Sequence, residues 1–196
     1  RMKCDYIEGR GPQWPRPSVQ AETMHQPAME QTSLFTFVQF NNWANQRLLD
    51  QAAALNEEAL NEQSPFFDHG TAFQTLCHHF EVEWSWLRAA QGIIRRTSLW
   101  DGEPLADLAA IQRFARRFGP ELAHYAANLS PGALAEHVDI GTPNGLAPEW
   151  VRRADTLLHL VNHGTVHRTE LAHFLTSKGH SPGELDYLDF AIEAGK

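Results

Sequence analysis

Cysteine is nearly missing from this chain. Only Cys4 and Cys77 occur, and no Cys-x-x-Cys pair can be formed. A closed cysteine-rich metal site is thereby excluded, and no disulfide pattern is present, which suits a reducing cytoplasm. Long apolar runs are missing too. None approaches the roughly 18 residues of a transmembrane helix, and no basic-then-apolar leader resembles a signal peptide. Positive charge is scarce: 16 Lys and Arg stand against 24 Asp and Glu, a net charge of −8. Binding to a phosphate backbone needs clustered basic residues, so nucleic acid is not an expected partner. The basic doublets Arg95-Arg96, Arg116-Arg117 and Arg152-Arg153 read as helix-end and surface charges. No Gly-rich phosphate loop and no Ser-His-Asp order can be made out. What remains is a protein of 196 residues, long enough for one domain with a sizeable core.

The organisation follows from periodicity and breakers. Residues 1–31 are proline-rich and lack an apolar period, so they read as an extended tail, with the domain over 32–196. Ile7-Glu8-Gly9-Arg10 matches a protease site commonly placed in expression tags. Part of the tail is therefore expected to be tag-derived, with Met24 or Met29 as the native start. Thr32 or Ser33 can cap a first helix running to about Leu55, with Leu34, Phe37, Val38, Trp43, Leu48 and Ala52 inward. A second helix spans about 70–93. A third runs from near Pro104 to about Asn128, and Gly119-Pro120 is expected to kink or break it. The Pro- and Gly-rich stretch 130–150 contains a short candidate strand at His137-Val138-Asp139-Ile140, hairpinned with 146–151. A fourth helix covers about 153–178, ended by Gly179. A short one at 183–193 closes the sequence. The pattern predicts an all-α protein, an antiparallel four-helix bundle with a short irregular or hairpin segment before its last long helix.

The chemistry concentrates in HLVNHGTVHRTELAHF, residues 159–174. At about 100° per residue, Leu157, Leu160, Gly164, Leu171 and Leu175 form an apolar stripe bordered by His163 and His167. His159 and His173 fall toward the polar side. Histidines four apart on a helix lie one above the other and can share a metal ion. Eleven histidines in 196 residues make one such pair unsurprising, so the spacing leaves ligation and ordinary half-buried histidines both open. A third ligand would come from His78-His79 in the second helix, between whose two semi-apolar stripes the helical wheel does not choose firmly. Position 164 is Gly, so the glutamate base of an HExxH protease is missing. Glu170 lies near His163 on the wheel and is the better candidate, ahead of Glu83, to orient an imidazole. Cys77 reads as a buried small hydrophobe. The tryptophans Trp43, Trp84, Trp86, Trp100 and Trp150 read chiefly as core, with Trp43 and Trp86 placed to line a pocket above a metal.

Three segments together resemble the DinB-like, damage-inducible superfamily: FNNWANQRLLD (40–50), TLCHHFEVEWSWL (75–87) and HLVNHGTVHRTELAHFL (159–175). Members carry an early segment reading Y-N-x-W-A-N-x-x-L-L. A second reads T-L-x-H, followed by an acidic residue five on and Trp-Leu eight and nine on. A late segment reads H-V-x-N-H-x-x-x-H-R. Glu83, Trp86 and Leu87 stand at the matching offsets from His78, and His163 and His167-Arg168 match the late pair. Phe40 replaces the usual Tyr, and His79 doubles the second-helix histidine. The resemblance covers about residues 33–190. It implies a four-helix bundle with His78, His163 and His167 holding a divalent ion, zinc or nickel, between the second and fourth long helices.

Three protein ligands with one position left to water mark a catalytic rather than a structural metal. The resemblance implies two functional expectations. One is a metal-dependent transferase or isomerase that uses a low-molecular-weight thiol such as bacillithiol, mycothiol or glutathione against a small electrophile, with Arg168 a candidate for a thiol carboxylate. The other is a stress-associated metal-binding dimer without turnover. A homodimer is expected from the helices with two apolar faces and from the resemblance.

Overall fold

The structure, a computed structural model, describes residues 26–93, 99, 102–141 and 148–195. Arg95-Arg96, Trp100, Cys4 and the tail before residue 26 lie outside the described residues. Four long helices dominate: α1 (Gln26–Ala52), α3 (Ala72–Ala90), α4 (Leu108–Ala127) and α6 (Arg153–Ser177). Short helices α2 (Glu57–Leu60), α5 (Pro131–Ala135) and α7 (Tyr187–Glu193) fill the connections. β1 (His137–Asp139) pairs antiparallel with β2 (Trp150–Arg152), Val138 opposite Val151, which is the expected hairpin before the last long helix. The class is all-α, as the sequence predicts.

Side-chain contacts fix the bundle's connectivity. His78 meets His167 and Trp86 meets His159, so α3 and α6 run antiparallel. Phe80 packs on Phe114, Arg88 pairs with Glu121 and Tyr125 Oη donates to Ala90 O, so α3 and α4 run parallel. Leu34 and Phe37 share a groove with Ala154 and Leu158, and Arg168 reaches Asn41 and Asn45, so α1 and α6 also run parallel. The bundle therefore goes up, down, down, up, so that only the connection from α3 to α4 joins two helices running the same way. Its centre is apolar and fully buried at Phe80, Phe114, Phe118, Phe174, Leu157 and Leu160.

Local chemistry explains most helix ends. The Thr71, Asp107 and Ser130 side chains each accept a backbone N–H three residues on, capping α3, α4 and α5. Gly179, at φ 84°, ends α6, and His180 N reaches back to Leu175 O. Three expectations are corrected. α1 already covers Gln26, ahead of the expected start at Thr32. α4 is not broken at Pro120. The face of Ile111, Phe114, Phe118 and Leu122 packs on the core, and Asn42 Nδ2 of α1 donates to Gly119 O at 2.8 Å. That packing outweighs the roughly 3 kcal/mol a helix-interior proline costs. Trp150, read with the core set, is 60 % exposed because strand alternation on β2 turns it outward.

Cys77 is buried, and its Sγ lies 3.7 Å from Leu105 O. Burial, then the nearby Glu81 carboxylate, pushes its thiol up to about 12. In a Cys4→Ser background the native protein should therefore resist alkylation at pH 8 and react fully once unfolded. Fast native labelling would show that α3 opens there.

Candidate metal centre

Four imidazoles gather where α3 faces α6. His78, half-buried on α3, stacks on His69 at 3.9 Å between ring centroids and meets His167 edge-on at 4.9 Å. His163 lies 4.7 Å from His167 and 5.8 Å from His78. The best-gathered set of ligand atoms belongs to His69, His78 and His167, all within 4.8 Å of one another. Of the residues read from the sequence, the fold thus brings His78, His163 and His167 ring to ring. It adds His69, which sequence reasoning missed. His69 sits in a turn, outside any periodic pattern, and the only cue was its place just before the Gly70-Thr71 helix start.

His79 points elsewhere. It is 2 % exposed, and its Nε2 lies 3.0 Å from Asn45 Oδ1 and 3.2 Å from Glu83 Oε1. Glu83 is buried as well and accepts from Asn41 Nδ2 at 2.8 Å and from Asn45 Nδ2 at 3.0 Å. Arg168 donates to Asn41 Oδ1 at 2.6 Å and Asn45 Oδ1 at 3.0 Å, with Glu83 3.8 Å away. The network ties α1, α3 and α6 together beside the histidines. Burial raises the Glu83 carboxyl, while Arg168 and the asparagine donors oppose that shift. Burial brings the Arg168 guanidinium down to about 10, which still leaves it charged at neutral pH, with the Glu83 carboxyl as its facing acidic group. Arg168 is thus spent inside the protein and is not presented to a thiol carboxylate. Gly164 makes room for the network. A Cβ there would stand 2.7 Å from Arg168 Nη1 and 3.1 Å from His79 Cε1.

Glu170 does orient an imidazole, but the imidazole is that of His167 rather than His163: its Oε2 lies 3.0 Å from His167 Nδ1. The α6 face rotates position 170 under 167, three residues back. Nε2 of His167 is left to bind outward. Trp86 packs on His159 at 4.4 Å, next to the His163 ring. Trp43 instead donates to Glu193 and packs on Phe190 of α7. His159 and His173 are exposed.

The donor set suits a divalent metal. Burial, then the neighbouring imidazoles, lowers both His78 and His163 to about 4, so both are neutral at pH 7 with lone pairs available. Beside them a pocket of about 320 Å³ is lined by His69, Phe73, Gln74, Cys77, His78 and Glu81. The class defined is an all-α bundle with a histidine cluster between two of its long helices. The model of the DinB family matches residues 24–195, and the chain belongs to that family. No curated protein matches the sequence.

The depressed histidines carry a pH consequence. Unfolded histidine titrates near 6.5. Between about pH 6.5 and 4 the unfolded protein binds protons that folded His78 and His163 refuse, so stability rises with pH across that window. It should be greatest above about pH 6.5, fall as pH drops toward 4, and level off below. Thermal melts in chelator at pH 7.5 and pH 5 check this; equal melting temperatures would refute it. The added stability from metal should likewise be present at pH 7.5 and shrink at pH 5.

Proposed function

We propose that this DinB-family protein is a metal-dependent thiol transferase or isomerase acting on small electrophiles, with His78, His163 and His167 as metal ligands. The observation that supports this reading most is the gathering of the His78, His163 and His167 rings, the first two held neutral, beside an open pocket. A bound zinc or nickel ion would favour the thiolate form of a low-molecular-weight thiol and act as a Lewis acid. The protein's own part is positional. α3 and α6 hold the imidazoles, Glu170 fixes the His167 ring, and Phe73, Gln74 and Glu81 shape the pocket that would admit the small molecules. Elemental analysis of purified protein, followed by a conjugation screen with bacillithiol, mycothiol and glutathione, tests it. Stoichiometric metal with thiol-dependent turnover is expected. Metal without turnover would leave the non-catalytic reading.

That second reading, a metal-binding dimer, draws support from Leu158, Tyr187, Leu188 and Ile192, all exposed on α6 and α7. Light scattering at micromolar protein tests it, and a monomer mass would reject it. No described helix is long and apolar enough to cross a membrane. The free thiol of Cys77 fits the reducing cytoplasm proposed as the protein's compartment.

A further inference from the structure

His69 is the ring nearest to His78, yet it belongs to no long helix. It sits in the turn between α2 and α3, and that turn is pinned. Gln63 bridges Thr71, Ser64 N donates to Gly70 O at 3.0 Å and Gly70 N to Phe67 O at 3.1 Å. Phe67 is buried against Phe174 of α6 at 5.1 Å, and Glu62 pairs with Lys178 just past the end of α6. Gly70, at φ 87°, closes the turn in a conformation that L side chains rarely adopt. The turn is therefore anchored to α6 by Phe67 and closed onto α3 by Thr71. His69 is carried to the solvent-facing side of the histidine cluster, with its ring against His78. Its ring lies 5.6 Å from that of His167 as well as against His78.

We propose that His69 is a fourth metal-binding residue, so that the protein itself fills the position an open three-histidine site would leave to water. The inference rests on the metal-binding reading above. A lone stacked histidine would need only one neighbour. Here one ligand atom of His69 lies within 4.8 Å of ligand atoms on two different helices at once. Four protein ligands make a closed set. Anything entering the coordination sphere must then displace a ligand.

Cobalt(II) titration of the full-length protein tests this through visible absorption, with affinity read by competition against a chromophoric chelator. The proteins compared are wild type, His69→Ala, His69→Gln and, as a surface control, His173→Ala. The His69 variants should still take up one cobalt, bind it at least about tenfold more weakly, and show shifted d–d bands. His173→Ala should match wild type. Unchanged affinity and spectra in both His69 variants would overturn the proposal while leaving the three-histidine site standing. A wild-type protein that takes up no cobalt would overturn both. If circular dichroism shows that His69→Ala has lost helix, the comparison is read from His69→Gln.

Discussion

Arg168→Ala should destabilise the chelator-treated protein by about 3–5 kcal/mol, the usual cost of stranding one member of a buried ion pair. For a protein of this length that lowers the melting temperature by roughly 10 °C. Arg168 is 2 % exposed and Glu83 1 %, so neither charge can turn to water for relief. Removing Arg168 leaves Glu83 with the Asn41 and Asn45 donors and the His79 ring, and takes from Asn41 Oδ1 its guanidinium donor. Glu83→Ala should cost a comparable amount by stranding the guanidinium. The double variant should lose less than the sum of the two, because the second change removes a charge already unpaired. Additive losses in denaturant melts would show that the two side chains do not act as a pair. Gly164→Ala should destabilise in the same assay, although alanine is favoured over glycine in a helix by about 1 kcal/mol. The added methyl meets Arg168 Nη1 at 2.7 Å inside the network.

The largest effect on metal content is expected at His78 and His167, which are common to the family-implied ligands and to the closest-gathered imidazoles. His78→Ala or His167→Ala should reduce metal affinity by more than the roughly 10–100-fold that loss of an outer hydrogen-bond partner costs. His163→Ala should also strip metal, while His159→Ala and His173→Ala should leave it near wild type. His79→Ala separates ligation from architecture. Its ring faces Asn45 and Glu83, so metal should be retained while stability falls. Elemental analysis of the purified variants reads the first quantity and chelator-treated melts the second. Metal lost from His79→Ala but kept in His78→Ala would reverse the assignment.

Much of this protein could be read from local pattern. The glycine after α6 and the 3.6-residue stripes mark the long helices, because those signals act within one or two turns. The same period singles out His163 and His167 from the four histidines of α6 and puts His78 on a face toward a neighbour. The motif resemblance supplies the family and the expected ligand set. Tertiary structure alone decided four things. The up-down-down-up order depends on α4 packing parallel to α3, which contacts between the two helices decide. Pro120 stays inside α4 because packing outweighs its local cost. Arg168, polar by sequence, is buried because Gly164 opens a space that only a facing pair of asparagines and a glutamate can satisfy. His69 joins the cluster because a buried phenylalanine two residues earlier pins its turn to the far helix. Periodicity records which side of one helix is apolar; it holds no information on which residues of other elements arrive there, and the buried network and the fourth imidazole are both of that kind.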